Sequence, residues 1–134
     1  MKPLIPALLL ASLLSTSAIA QSGAHTLPES RYGAISYLSG GIGDEELDEI
    51  RLREGDFNLK LLFAERDGSY LAGVDVELTD AKGETVLAVK AAGPFLLVRL
   101  PVGNYTVRLM ANGQARQGKL AVSAKGTRQA VFRW

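Results

Sequence analysis

The sequence predicts an all-β fold, a seven-stranded antiparallel β-sandwich preceded by one short α-helix. From Phe57 onward, apolar residues recur at every second position in short runs, the period of half-buried strands. Turn signals separate these runs at intervals of roughly ten residues, which favours antiparallel strands over a parallel sheet with crossover helices. An acidic stretch before Phe57 has helical spacing and supplies the helix.

Residues 1–20 have the three parts of a secretory signal peptide. Lys2 gives a basic start, Leu4–Leu14 is apolar, and an A-x-A pattern ends at Ala20. The apolar run is shorter than the roughly 20 residues that cross a bilayer. We therefore predict that the signal peptide is cleaved between Ala20 and Gln21, with Ala18 and Ala20 as the small residues of the cleavage site. This predicts a periplasmic or secreted protein with no membrane span after signal removal.

Charge and cysteine content narrow the function classes. The sequence has 15 Lys and Arg and 14 Asp and Glu, so loss of Lys2 with the signal peptide would leave equal numbers of basic and acidic residues. A formal net charge near zero does not favour binding to nucleic acid. The chain has no cysteine, which excludes disulfides, thiolate catalysis and cysteine-based metal sites. The length suffices for one hydrophobic core.

The chain after the predicted signal peptide divides into three predicted parts. Residues 21–31 are polar and turn-rich, as in a flexible tail. Residues 32–55 predict a short strand plus a helix, and residues 56–134 form the predicted sandwich domain.

The stretch "GDEELDEIRLREG" has start and stop signals of a helix. Gly43 as N-cap places Glu46 where it can complete a capping box, and Gly55 would supply a left-handed stop. We expect the helix to dock through Leu47 and Ile50, because so short a helix is marginal alone. Two side-chain pairs at helical spacing support it: Asp48 with Arg51, and Glu49 with Arg53.

The glycines before this helix also allow two other hypotheses, a phosphate loop and a calcium loop. Three acids in the first helical turn would repel a phosphate, and "DEELDE" lacks the alternating oxygens of a calcium loop. The sequence therefore favours a solvated helix.

Each strand of the sandwich is predicted from alternation between turn signals. In the first, Phe57, Leu59, Leu61 and Phe63 share one face, with Lys60 on the polar face. Asn112-Gly113 is a strong hairpin signal. In the last strand we expect Phe132 and Trp134 to fill the core. The seven segments are "FNLKLLFA", "VDVELTD", "TVLAVK", "FLLVRL", "NYTVRLM", "ARQGKLAV" and "TRQAVFRW".

The segment "RLPVGNYTVRLMANGQ" resembles the L-P-x-G-x-Y-x-V signature of carboxypeptidase regulatory-like domains, which have a transthyretin-like (prealbumin-like) sandwich. "YLAGVDVELTDAKGETV" resembles the preceding strand pair of that family, and the likeness covers about residues 57–134. Physically, Pro101 and Gly103 form a corner, and Tyr105 points its ring inward with its hydroxyl bound to a backbone group.

Enzymatic and cross-linked relatives of this sandwich rely on residues that the chain lacks. Hydroxyisourate hydrolases use histidines and a Y-R-G-S terminus, whereas this sequence has one histidine, His25, and ends in "VFRW". Pilin-like domains join a first-strand lysine to a last-strand asparagine, but "TRQAVFRW" offers no asparagine to Lys60.

We therefore predict a non-catalytic module with no catalytic residue, metal site or cofactor, which binds a protein, peptide or glycan or acts in envelope assembly. Its ligand-binding residues are not predicted; the loop tips at 67–70 and 112–114 are places where contacts could lie. The alternative is a small periplasmic hydrolase, dependent on carboxylates or a metal, that uses acids of the helix and of the strands and turns. The latter acids are Asp67, Asp75, Glu77 and Asp80.

Overall fold

The computed structural model describes Pro3 and residues 27–134. The predicted cleavage residues Ala18, Ala20 and Gln21, and also His25, lie outside the described residues. The elements in chain order are β1 (Ser30–Tyr32), β2 (Ile35–Gly40), α1 (Gly43–Arg53), a 3-10 helix (Glu54–Asp56), β3 (Leu59–Ala64), β4 (Asp75–Thr79), β5 (Thr85–Lys90), β6 (Phe95–Arg99), β7 (Gly103–Ala111), β8 (Gln114–Val122) and β9 (Arg128–Arg133).

The strands form two sheets, of order β1-β2-β6-β3-β9 and β5-β4-β7-β8. All pairs are antiparallel except β3 and β9, which run parallel with Leu59 opposite Arg128. The structure corrects the predicted seven antiparallel strands, because the described residues form nine strands and one pair is parallel. β9 can run parallel to β3 because the chain crosses from β8 in the second sheet to β9 in the first, so no hairpin joins β9 to β3.

β1 and β2 precede the seven predicted sandwich strands and belong to the first sheet. β2 lies where the short strand of residues 32–55 is predicted. β2 pairs with β6, with Leu38 opposite Leu97. Residue 56 is the predicted start of the sandwich domain, and strands from before and after it form one sheet. β1 begins at Ser30, inside the predicted tail.

The main core lies between the two sheets. Leu59, Leu61 and Phe63 of β3 are fully buried there, as their alternation predicts. They pack with alternate residues of the second sheet such as Leu78 and Val107. Each such side chain contributes about 1.5–3 kcal/mol by leaving water, so this layer dominates the stability of the fold.

A second cluster lies on the other face of the first sheet, beneath α1. Ile50 is buried there and Leu47 is half-buried, which confirms the predicted docking residues. β6 is consequently buried on both faces, which explains why "FLLVR" lacks alternation. The buried members of this cluster are Leu38, Ile50, Phe57, Phe95 and Leu97.

The caps of α1 differ from the prediction. Its N-cap is Ile42, and Glu46 Oε1 accepts hydrogen bonds from the backbone of Gly41 (3.1 Å) and Ile42 (3.3 Å). The expected left-handed stop at Gly55 is wrong, because this glycine lies in the 3-10 helix without a positive φ. The Glu54 carbonyl instead accepts the backbone N–H of Phe57 at 3.2 Å, so a left-handed glycine is not needed to satisfy that group.

Both predicted side-chain pairs of the helix are confirmed. Arg51 lies 3.1 Å from Asp48, and Arg53 lies 3.3 Å from Glu49. Glu49 also accepts a hydrogen bond from the backbone of Leu27 at 2.7 Å. The helix therefore holds the chain segment that precedes β1.

The C-terminal strand closes one side of the main core. Trp134 is buried and meets Phe63 edge-on at 6.2 Å between ring centroids, and Phe132 is half-buried against the same core. The Trp134 indole N–H donates to the Gln114 carbonyl at 3.0 Å. Both aromatic predictions are confirmed, and the indole bond ties β9 to β8 in the other sheet.

Candidate functional site: the outer face of the second sheet

The two sheets differ in what covers their outer faces. α1 packs on the outside of the first sheet through Leu47 and Ile50. In the described part of the chain, no helix packs on the outside of the second sheet. Outward side chains of β4, β5, β7 and β8 instead line an open depression of about 580 Å³. This face is the candidate binding surface of the molecule.

Strand register explains which side chains line the depression. Glu77 lies opposite Ala88 on one neighbouring strand and Arg108 on the other, and Arg108 lies opposite Gln117. The next row places Lys90, Asp75, Met110 and Ala115 side by side. The small side chains of Ala88 and Ala115 leave room beside the longer ones, and Met110 is 45% exposed.

Two ion pairs lie on this face, and both are accessible to solvent. Lys90 is 3.9 Å from Asp75, and Arg108 is 3.6 Å from Glu77. The side chains of Arg108 and Glu77 are 54% and 45% exposed. Exposed pairs of this kind contribute about 0–1 kcal/mol, so a ligand with its own polar groups can replace them at little cost.

A second depression, of about 700 Å³, continues the face toward the far end of β7 and β8. Arg108 lines both depressions, and Lys119 and Arg128 line the second. At its edge, Asp80 Oδ1 accepts backbone hydrogen bonds from Lys82 (2.9 Å) and Glu84 (3.0 Å). The face thus extends as one surface over both depressions, with a tightly bonded turn at one end.

Tyr105 forms the floor of this second depression and the corner that the sequence predicts. Its hydroxyl donates to the Pro101 carbonyl at 2.6 Å, while its ring is buried in the main core. Burial raises the pKa of the Tyr105 hydroxyl, and the Asp80 charge raises it further. These contacts confirm a structural role for Tyr105, with its hydroxyl engaged by the backbone.

The carboxylates considered for a hydrolase do not converge. Asp44 and Glu45 lie on the exposed side of α1, outside the first sheet, whereas Asp75 and Glu77 line the outer face of the second. Asp67 lies at a loop tip, where the backbone N–H of Ser69 (2.9 Å) holds the pKa of its carboxyl below the usual value. Among residues 27–134, no three His, Cys, Asp or Glu side chains are grouped as metal ligands.

Lys60 is less exposed than its polar-face position predicts. Its ammonium contacts the Glu54 carboxylate and lies 5.3 Å from the centroid of the Phe95 ring, and its side chain is 14% exposed. The helix end covers this face of β3, a tertiary contact that alternation within one strand does not reveal.

The two loop tips lie in different surroundings. Tyr70 packs edge-on against Phe95 at 5.5 Å, near the helix side of the first sheet. Asn112 and Gly113 both have positive φ and close the β7–β8 hairpin, as predicted. Gln114 begins β8 beside the first depression's residue Ala115, so only the hairpin tip adjoins the candidate face.

The open face does not follow from the sequence pattern alone. Alternation marks Asp75, Glu77 and Arg108 as outward but does not tell which of two sheets has a covering helix. The signal was present in β6, whose continuous apolar run indicates burial on both faces and therefore a covered first sheet.

Comparisons with known proteins leave the family open. No protein-family model matches the sequence, and no curated protein matches it significantly. The described residues include no helix long and apolar enough to cross a membrane.

Proposed function

We propose that the chain is an exported, non-catalytic binding module that holds a protein, peptide or glycan on the outer face of its second sheet. The observation that carries the proposal is the contrast between the two sheets, one covered by α1 and the other open over four strands. Exposed ion pairs, small side chains and Met110 on that face provide polar and apolar contacts for a ligand.

The predicted signal peptide supports a periplasmic or secreted location for this module. The Pro101–Tyr105 corner and its hydroxyl bond support membership in the carboxypeptidase regulatory-like class with its transthyretin-like sandwich. Because sandwiches of one architecture serve many functions, the fold alone does not name the ligand.

A binding screen with a filled depression tests the proposal. The purified protein is screened against a glycan array and a displayed peptide library, and binders are titrated by calorimetry. Ala88→Trp places a large ring in the depression, whereas Ala34→Trp adds the same ring in the exposed β1–β2 turn. We expect at least a tenfold loss of affinity for Ala88→Trp and less than twofold for Ala34→Trp. Equal affinity of the two variants, or no saturable binder in either screen, contradicts the proposed face.

A further inference from the structure

Acidic and basic side chains are segregated along the sequence. All 14 aspartates and glutamates lie between Glu29 and Glu84. From Thr85 to the end, every charged side chain is basic. These residues are Lys90, Arg99, Arg108, Arg116, Lys119, Lys125, Arg128 and Arg133. The net charge of +1 is therefore the sum of an acidic part before Thr85 and a basic part from Thr85 onward.

The fold gathers much of the basic half along one edge of the molecule. β9 lies beside β8, where Arg116 Nε donates to the Arg133 carbonyl at 2.9 Å. Further along, the Phe132 ring packs over Gly118, where an added Cβ would lie 3.3 Å from the ring. We call the basic side chains of β8, β9 and their connection the basic edge: Arg116, Lys119, Lys125, Arg128 and Arg133.

In the described part of the chain, the basic edge has no carboxylate partner. None of its five side chains lies within 4.0 Å of a carboxylate among residues 27–134, unlike Lys90 and Arg108 of the second sheet. Lys119, Lys125 and Arg128 are exposed. Like charges without counter-ions attract anionic ligands and repel each other, so an anionic ligand would stabilise this edge.

The side chains between the basic residues favour a sugar polymer over a nucleic acid. Gln117 is exposed on β8, opposite Arg108 on the outer face of the second sheet, and offers an amide group to hydroxyls. The aromatic residues of β9 are not available for base stacking, because Trp134 is buried with the Arg116 guanidinium 5.6 Å from its ring centroid and Phe132 is half-buried. Single-stranded nucleic acids are held by exposed aromatic rings as well as by charge.

We propose that the ligand is an acidic polysaccharide that runs along the basic edge, with its carboxylates on the basic side chains and its hydroxyls on the Gln117 amide. The inference rests on the proposed function and names the ligand class for the same face. Lys119 and Arg128 line the second depression, so the edge and the face are continuous.

The test titrates the purified protein with polygalacturonate, and with neutral dextran, poly-L-glutamate and double-stranded DNA as comparators. The edge variant carries Lys119→Gln, Lys125→Gln and Arg128→Gln. A matched variant carries Arg31→Gln, Arg51→Gln and Arg66→Gln, which are exposed, lie off the edge and off the candidate face, and change the net charge equally. We expect salt-dependent binding of polygalacturonate, at least a tenfold loss in the edge variant and less than a twofold loss in the matched variant.

Amide chemical shifts show where the polymer binds. Shifts confined to β7, β8 and β9 support the inference, whereas shifts on α1 overturn both it and the proposed face. Tighter binding of poly-L-glutamate or DNA than of polygalacturonate, equal loss in the two variants, or no binding overturns the inference. If polygalacturonate fails but a peptide or neutral glycan from the screen loses affinity with Ala88→Trp, the proposed function stands without an acidic ligand.

Discussion

Replacing Tyr105 by phenylalanine isolates one hydrogen bond at the corner of the fold. The hydroxyl donates to the Pro101 carbonyl at 2.6 Å, across a chain segment of four residues. Tyr105→Phe leaves the buried ring in place and removes only this donor. Any loss of stability therefore measures the corner bond and not the packing.

The size of the loss follows from the surroundings of the two partners. A typical intramolecular hydrogen bond contributes about 0.5–1.5 kcal/mol net, and an acceptor left buried without a partner costs about 1–3 kcal/mol. Pro101 is exposed, so water can reach its carbonyl once the hydroxyl is gone. We therefore expect a decrease in the free energy of unfolding of about 1 kcal/mol, at the lower end of the combined range.

Urea unfolding followed by fluorescence measures this loss, because Trp134 is the only tryptophan and is buried in the core. Tyr70→Phe is the control, since the Tyr70 side chain is 53% exposed and should change stability by less than about 0.5 kcal/mol. If Tyr105→Phe destabilises the protein no more than Tyr70→Phe, the corner does not depend on the hydroxyl.

The pH dependence of the same variant provides an independent check. The Tyr105 pKa is raised in the folded state, by burial and then by the Asp80 charge. The folded protein therefore keeps this proton at pH values where the unfolded chain, with a pKa of about 10, has lost it. This contribution is complete below about pH 10 and disappears as the pH rises through the folded-state pKa. The stability difference between wild type and Tyr105→Phe should narrow above about pH 10.

Three further predictions concern two glycines and the start of α1. A Cβ on Gly93 would lie 2.4 Å from the Gly40 carbonyl, so Gly93→Ala should force β2 from β6 and lower stability by more than about 3 kcal/mol in urea. A Cβ on Gly55 would meet open space, and this residue has no positive φ, so Gly55→Ala should raise the free energy of unfolding by about 0.4–1 kcal/mol. A lower free energy of unfolding in this variant would support the left-handed helix stop expected at Gly55. Glu46→Ala removes the acceptor for the backbone amides of Gly41 and Ile42, which lie just before α1, and should cost about 1 kcal/mol. Unchanged stability would show that water caps this helix equally well.

The sequence predicts most of the strands because their signals are local. Alternation and turn residues placed β3 to β9, and the Asn112-Gly113 turn and the Tyr105 corner were confirmed because they depend on a few neighbouring residues. The parallel pairing of β9 with β3 and the pairing of β2 with β6 involve segments far apart in sequence. No local pattern encodes such partners.

The ends of α1 show the same limit on a smaller scale. Gly55 has the position of a helix stop, yet the chain continues into a 3-10 turn in which the Phe57 N–H satisfies the Glu54 carbonyl. Thr127, which precedes β9 and lies far away in the sequence, donates its hydroxyl to the Phe57 carbonyl at 2.7 Å and holds this turn in place. The open face was also beyond local patterns, because its exposure depends on where α1 packs. Alternation identifies the outward residues of this face, but its exposure depends on which of the two sheets α1 covers.

The arrangement of α1 and the two sheets also explains how a chain of net charge +1 can bind an anion. Acidic residues of α1 lie beyond the first sheet, and packed sheets are about 10 Å apart. At physiological ionic strength the Debye length is about 8 Å, so the helix carboxylates act weakly on a ligand at the outer face of the second sheet. Asp75 and Glu77 on that face are paired with Lys90 and Arg108. Lys119 lines the second depression together with Arg128 of β9 and with Asp80. The local field, rather than the sum over the chain, therefore decides which ligand the face attracts.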